Sequence, residues 1–296
     1  SSSAGQSIFL SPVVIKLVGQ HNINPAYVTG TGKDGRVTKK DIEAYLAAGK
    51  PVPALGTAPA SLPARPTGPE VTTGETMKLG PVRKAIADHM VMSRHTSPHV
   101  TTVMEVDMSA VATHREANKA AFSQNGTKLT YTAYVVSAIA TALKAYPIVN
   151  SSWTDSGIAV HQEINVGMAV AYSQGLIVPV IKNTGGMSLM QISQAVNDLA
   201  VRARDKQLTP DEVRGGTFTL TNHGTSGSLF ATPIINQPQC GILGTGVIQK
   251  RAVVINDAIA IRPMMYIGLT FDHRILDGAV ADYFLGTIKD TLDTWR

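Results

Sequence analysis

A histidine, an arginine and two carboxylates fall together in Asp272-His273-Arg274-Ile275-Leu276-Asp277-Gly278. The apolar run Leu269-Thr270-Phe271 leads into them and reads as a strand, so His273 stands at a strand exit. Gly278 allows close backbone approach and a carboxylate lies near, a setting for an imidazole that moves protons at neutral pH. A lone histidine is more often structural, so its neighbours must decide. Other constellations offer less. Gly30-Thr31-Gly32-Lys33-Asp34-Gly35 spells G-x-G-x-x-G, but a dinucleotide fingerprint needs a strand before it and a βαβ unit around it. Here a short polar helix precedes it, and the glycines read as a loop between helices. The eight histidines form no tight cluster with other ligands; His273 and Asp277 are spaced for one helix face, but the strand leading into them argues against metal. Gly224-Thr225-Ser226-Gly227-Ser228 lacks the form of a nucleophile elbow, and Ser226 reads as a turn residue.

The single cysteine, Cys240, lies in the apolar run Cys240-Gly241-Ile242-Leu243 without a basic neighbour. It reads as a buried structural thiol, excludes an intramolecular disulfide and a zinc cluster within one chain, and points to a reducing compartment. The chain has 296 residues, 44% hydrophobic and 16% charged, enough for one large domain and one small one. Its net charge of +5 permits attraction to phosphates but names no partner, and no basic patch with interleaved aromatics marks a nucleic-acid binder. No apolar run is long enough for a membrane span, and the start reads as a linker remnant over 1–8 with no targeting segment. A cytoplasmic or mitochondrial-matrix location is expected.

The elements that must hold these residues fall on either side of a Pro/Ala-rich linker, 50–75, with prolines at 51, 53, 59, 63, 66 and 69. Before it, residues 9–49 read as a small helical module. Ser11-Pro12 starts a helix carrying Val13, Val14, Leu17 and Val18, and Thr38 caps a second one presenting Ile42, Tyr45 and Leu46. After it, residues 76–296 alternate strands and helices. Strand patterns fall at 100–106, 164–172, 176–181, 217–222, 241–249 and 264–271, and helical patterns at 111–122, 132–146, 188–206 and 279–295. The class is α+β with a mixed sheet, since no regular βαβ repetition occurs.

In this order, the motifs of the larger piece resemble the acyltransferase components of 2-oxo acid dehydrogenase complexes, whose catalytic fold is shared with chloramphenicol acetyltransferase. The H-x-x-x-D-G signature stands at His273–Gly278. It is supported by Gly215-Gly216-Thr217-Phe218-Thr219-Leu220-Thr221-Asn222, Thr232-Pro233-Ile234-Ile235-Asn236, Gln174-Gly175-Leu176-Ile177-Val178-Pro179 and Ser97-Pro98-His99-Val100. The smaller piece is similar to the peripheral subunit-binding domain of the same proteins, through Ser11-Pro12 and the run from Val28 to Ile42.

The resemblance implies transfer of an acyl group between a dihydrolipoyl thiol and coenzyme A. His273 would act as general base, Thr221 would supply the oxyanion donor, and Asp277 would orient the active-site loop. Positions matching coenzyme A contacts are Arg115, Thr130, Thr221, Asn222, Thr225, Gly246 and Ile248. For Arg115 a helix-surface arginine is the competing reading. The family's site lies between neighbouring subunits of a trimer, within a core that engages a 2-oxo acid decarboxylase, dihydrolipoamide dehydrogenase and a lipoyl domain. No lysine sits in a lipoyl-type Asp-Lys hairpin, so the lipoyl group is expected on a domain outside this sequence. In the binding module Ile15 and Gly19 replace usual basic residues, leaving Lys16, Lys33 and Arg36 for partner binding and implying weaker, salt-sensitive docking. The acyl group stays open. Gly227-Ser228-Leu229-Phe230, Thr221 and Arg262–Tyr266 are similar to succinyl-transferring members, but Gly246 stands where those tend to carry histidine, and 174–179 is similar to acetyl or branched-chain types. The competing classes are a non-catalytic core protein, against which His273 and Asp277 argue, and an unrelated coenzyme A acyltransferase, which would need no docking module.

Overall fold

The structure, a computed structural model, describes residues 10–21, 23, 25–32, 35–49, 73–74, 76–172 and 175–296. The expected segment 1–8 and all of the expected linker except residues 73 and 74 lie outside these. The chain divides into two compact units at Met77.

The smaller unit holds helices α1 (Pro12–His21) and α2 (Lys39–Ala47) around Val14, Ile23, Val28, Val37 and Ile42. So small a core leans on its polar staples. Asp41 at the start of α2 accepts hydrogen bonds from the Thr38 N–H at 2.7 Å and from the Thr31 hydroxyl and N–H at 2.7 and 3.1 Å. One carboxylate thereby caps the helix and closes the glycine loop, whose predecessor is α1 and not a strand. These bonds, the Thr31 hydroxyl first, hold the Asp41 carboxyl far below its ordinary range.

The larger unit opens with α3 (Pro81–Thr96), β1 (His99–Asp107), α4 (Ser109–Gln124) and α5 (Tyr131–Ala145). Two short hairpins follow, β2 (Ser151–Thr154) with β3 (Gly157–Val160), and, beyond β4 (Val166–Met168), β5 (Val170–Tyr172) with β6 (Gly175–Ile177). Then come β7 (Val180–Ile181), α6 (Leu189–Arg204), β8 (Phe218–Asn222), β9 (Gly241–Thr245), β10 (Gln249–Ile255), β11 (Ala258–Asp272) and α7 (Gly278–Asp293). The main sheet runs β1-β11-β9-β8-β4-β7, with β10 added to β11. The pairs β8–β9 and β8–β4 are parallel and the others antiparallel, so the sheet is mixed as expected.

Helix α5 is apolar on nearly every side, and it is enclosed on nearly every side. It packs with α7, and Phe284 of α7 meets Phe218 of β8 at 5.6 Å between ring centroids. Each such side chain removed from water contributes roughly 1.5–3 kcal/mol, which fixes the helix layer on one face of the sheet. Cys240, fully buried at the entry to β9, has its thiol pushed up to about 12, first by burial and then by the charge of Asp272. Among the described residues no helix is long and apolar enough to cross a membrane.

Several elements differ from expectation: the strands expected over 164–172 and 176–181 each split between the main sheet (β4, β7) and the β5–β6 hairpin, and the β2–β3 hairpin was not expected. The strand expected over 241–249 stops at Thr245, and β11 begins at Ala258 rather than near 264, because Asn256 and Asp257 both take positive φ (49° and 61°) and fold β10 back on β11. Helix α3 was not expected; Ser93 is its one buried residue, and its apolar Val82, Ile86 and Met90, four apart, are not among the buried residues.

Candidate active site

Strand β11 delivers His273 to the surface. Phe271 pairs with Gly241 and Asp272 with His99, and the His273 N–H then donates to the Pro98 carbonyl at 3.0 Å. The next residues turn away: the Ile275 and Leu276 N–H groups donate to the Asp272 carbonyl at 3.0 and 3.1 Å. Alternation along the strand puts the His273 ring on the Phe271 ring, centroids 5.8 Å apart, and sends Asp272 inward.

Asp272 is 1% exposed. Its carboxylate accepts from the Ser97 hydroxyl at 2.6 Å, from the Arg274 N–H at 2.9 Å and from the Arg274 guanidinium at 2.6 Å. Burial pushes this carboxyl up, but the Arg274 and Ser97 bonds outweigh it and hold it below the ordinary carboxylate range. Gln237 donates to the Ser97 oxygen at 2.7 Å, and the Arg274 guanidinium lies 5.0 Å over the Trp153 ring. His99 completes the frame. The Ile235 N–H donates to its Nε2 at 3.0 Å, so the ring proton sits on Nδ1 and is donated to the Ser97 carbonyl at 2.7 Å.

Asp277, the residue expected to orient this loop, caps α7 through its backbone, its carbonyl accepting from the Ala281 N–H at 3.1 Å. Its exposed carboxylate makes no cap hydrogen bond. The carboxylate that pins the loop is Asp272, with Arg274, Ser97 and Gln237 around it. The sequence quoted Asp272 and Arg274 beside the histidine; period-two alternation at a strand end was the signal for the inward one.

Thr221 stands on β8, and its hydroxyl has no hydrogen bond among the described residues. It lines a cavity of about 530 Å³ together with Thr130, Asn222 and Thr225. A second cavity of about 220 Å³, lined by Asn222, Thr225, Gly246 and Ile248, shares Thr132 and Leu220 with the first. At one end Arg115 donates from Nε to the Leu129 carbonyl at 2.8 Å and lays its guanidinium 5.1 Å over Tyr131, which lines the smaller cavity. The Thr130 hydroxyl is buried without a partner among the described residues. Of the expected coenzyme A contacts, Thr130, Thr221, Asn222, Thr225, Gly246 and Ile248 line these two adjoining cavities, which form the candidate channel, while Arg115 lines neither and stands beside Tyr131. The hydroxyls that line the channel and the arginine nearby suit a polar ligand that carries phosphates. Gly246 is closed to any side chain, because a Cβ there would overlap the Leu229 carbonyl.

One pair is not brought together. Thr221 is in register with Gly244, and Gly244 with Gly268, five residues before His273. Five residues at roughly 3.3 Å, across two strand spacings of about 4.8 Å, separate the two by roughly 20 Å within one chain. Of the expected partner-binding residues, Lys16 on α1 and Arg36 are exposed, and Lys33 lies outside the described residues.

A surface imidazole at a strand exit, an uncommitted hydroxyl beside a cavity and a mixed sheet backed by helices are compatible with acyl transfer. Residues 72–296 match the family described as 2-oxoacid dehydrogenases acyltransferase (catalytic domain), and residues 8–43 match the e3 binding domain. The chain belongs to the acyltransferase family of 2-oxo acid dehydrogenases. It is 40% identical, over 95% of its length and 68% of the relative's, to the dihydrolipoyllysine-residue acetyltransferase component of the pyruvate dehydrogenase complex of Staphylococcus aureus (strain COL). Among solved structures it is similar to a probable dihydrolipoamide acetyltransferase from Listeria monocytogenes, with TM-score 0.72, 40% identity, and coverage of 75% of this chain and 95% of that one. The cubic core of a pyruvate dehydrogenase multienzyme complex gives TM-score 0.72 at 32% identity, covering 79% and 98%.

Proposed function

We propose that this chain passes an acetyl group between a dihydrolipoyl thiol and coenzyme A, at a site shared by two copies of itself. The observation that carries the reading is the roughly 20 Å that the strand register places between His273 and Thr221. A base and an oxyanion donor acting on one thioester must each lie about 3 Å from it. The pair within one copy does not meet that need, which leaves His273 of one copy and Thr221 of a neighbour to act together.

A thiol with a pKa of about 8.5 is mostly protonated at neutral pH. His273 takes its proton, the thiolate attacks the thioester carbonyl, and the Thr221 hydroxyl donates to the oxyanion that forms. When the intermediate collapses, the departing thiolate takes the proton from the His273 imidazolium. Arg115 and Thr130, with Asn222, Thr225, Gly246 and Ile248, would hold coenzyme A along the channel, and a lipoyl domain presents the other thiol. Asp277, in this reading, acts through its place at the start of α7. The small module docks dihydrolipoamide dehydrogenase through Lys16, Lys33 and Arg36, and the core also engages the decarboxylase of the complex.

Acetyl is favoured over succinyl by Gly246, where the fold has no room for a histidine, and by the acetyltransferase relatives. Rates with acetyl-, succinyl- and isobutyryl-CoA, using dihydrolipoamide as acceptor, test both parts. Acetyl-CoA should be fastest; a faster succinyl rate overturns the acyl assignment, and no transfer with any of them overturns the reaction.

A further inference from the structure

The histidine two residues beyond Thr221 has no part in the chemistry above. Along β8, Phe218 and Leu220 face the helix layer, while the Thr219 hydroxyl points the other way and donates to Gln239 at 2.6 Å. Thr221 shares that second face. The His223 ring folds onto it as well. A Cβ on Gly244, the register neighbour of Thr221, would stand 3.1 Å from the ring's Cε1 and 3.5 Å from Nδ1, with Pro233 at 3.6 Å. The glycine leaves the space that the imidazole fills, and this space is one strand spacing, roughly 4.8 Å, from Thr221.

Both ring nitrogens of His223 are buried, and neither has a hydrogen-bond partner among the described residues. Buried polar atoms are nearly always paired, so two orphans on one ring ask for a reason. Burial also lowers the ring's pKa and keeps it neutral, with one N–H to give and one lone pair to offer. The Thr221 hydroxyl beside it is likewise uncommitted.

We propose that His223 is a positioning residue for acyl transfer: in the reacting state its ring N–H hydrogen-bonds the Thr221 oxygen and turns the hydroxyl hydrogen toward the oxyanion. A hydroxyl that accepts one hydrogen bond has fewer directions left for its own, and it donates more strongly for being polarised. The inference rests on Thr221 being the oxyanion donor.

The test uses the assembled full chain, with kcat and KM for acetyl transfer and thermal unfolding measured on His223→Phe, His223→Gln, Thr221→Ala and the double variant His223→Phe/Thr221→Ala. Phenylalanine keeps the bulk and removes both nitrogens, whereas glutamine restores an N–H. We expect His223→Phe to lower kcat roughly 10-fold or more, with KM for coenzyme A little changed. Glutamine should recover part of the loss, and the phenylalanine change should have no effect when Thr221 is already alanine. Equal losses in both backgrounds, or an unchanged kcat in both His223 variants, overturn the inference alone. Full activity in Thr221→Ala removes the Thr221 reading and this inference with it.

Discussion

The Ser97 hydroxyl donates to the buried carboxylate of Asp272 across 2.6 Å, tying the segment before β1 to the last residue of β11. The His273 N–H reaches the neighbouring Pro98 carbonyl, so the two strand ends and the His273 backbone are tied together. The histidine itself stays exposed; its frame does not.

Replacing Asp272 with Asn should therefore damage the site without touching substrate. The change leaves the Arg274 guanidinium, 27% exposed, without its ion-pair partner. We expect about 2–4 kcal/mol lost from stability, below the figure for a fully buried pair, together with a fall in kcat. The pH dependence has a definite sign. The folded carboxyl is held below its ordinary value, so its contribution is present above about pH 4 and is lost as the pH falls through the folded value. The gap in melting temperature between wild type and variant should narrow below pH 4; a gap that widens there would contradict this.

Chains carrying His273→Ala and chains carrying Thr221→Val should each be nearly inactive when assembled alone. Co-assembled at equal amounts, about a quarter of their sites would pair an intact His273 with an intact Thr221, as a head-to-tail closed assembly requires. Recovered activity near that fraction is the expected result, and none at all would place both residues in one chain's site.

How far the sequence exposed this arrangement differs from residue to residue. His273 was legible because an apolar strand and its motif converge on it; Gly278 did not help, since a Cβ there would meet nothing within 4 Å. The channel residues were legible only through the family resemblance, for an isolated threonine or glycine carries no chemistry of its own. The role of Asp272 was hidden. Three consecutive polar residues read alike until the strand's alternation assigns one inward and the next outward. The β10–β11 hairpin was missed although Asn256-Asp257 is a turn signal, because the apolar residues on both sides blur where each strand ends. Helix α3 repeats Val82, Ile86 and Met90 four apart, but the Arg, Lys, Asp and His residues interspersed among them blur the stripe.

In the binding module, Asp41→Ala should remove the link between the glycine loop and α2. We expect a lower melting temperature for the module and loss of its helical signal on mild heating, by circular dichroism. Since the Asp41 carboxyl is held far below its ordinary range, its contribution is present above about pH 4 and disappears on acidification, so the variant should lack the wild type's acid transition. An unchanged acid profile would assign the staple elsewhere.

Docking of dihydrolipoamide dehydrogenase should weaken steeply with salt. Lys16→Ala and Arg36→Ala are each expected to cost about 0.5–1 kcal/mol in affinity at low ionic strength, and less at high salt. Titration calorimetry across a salt series measures both. A tight complex indifferent to salt would mean that apolar contacts, not these cations, hold the partner.

A protein that handles thiols and thioesters must not join the exchange itself. The sole cysteine of this chain lies fully buried, with its thiol pushed up to about 12, so at neutral pH almost none of it is thiolate. Acyl transfer of the proposed kind would meet no accessible thiolate of this chain, since Cys240 is its only cysteine. The fold keeps its one thiol away from the reaction it serves.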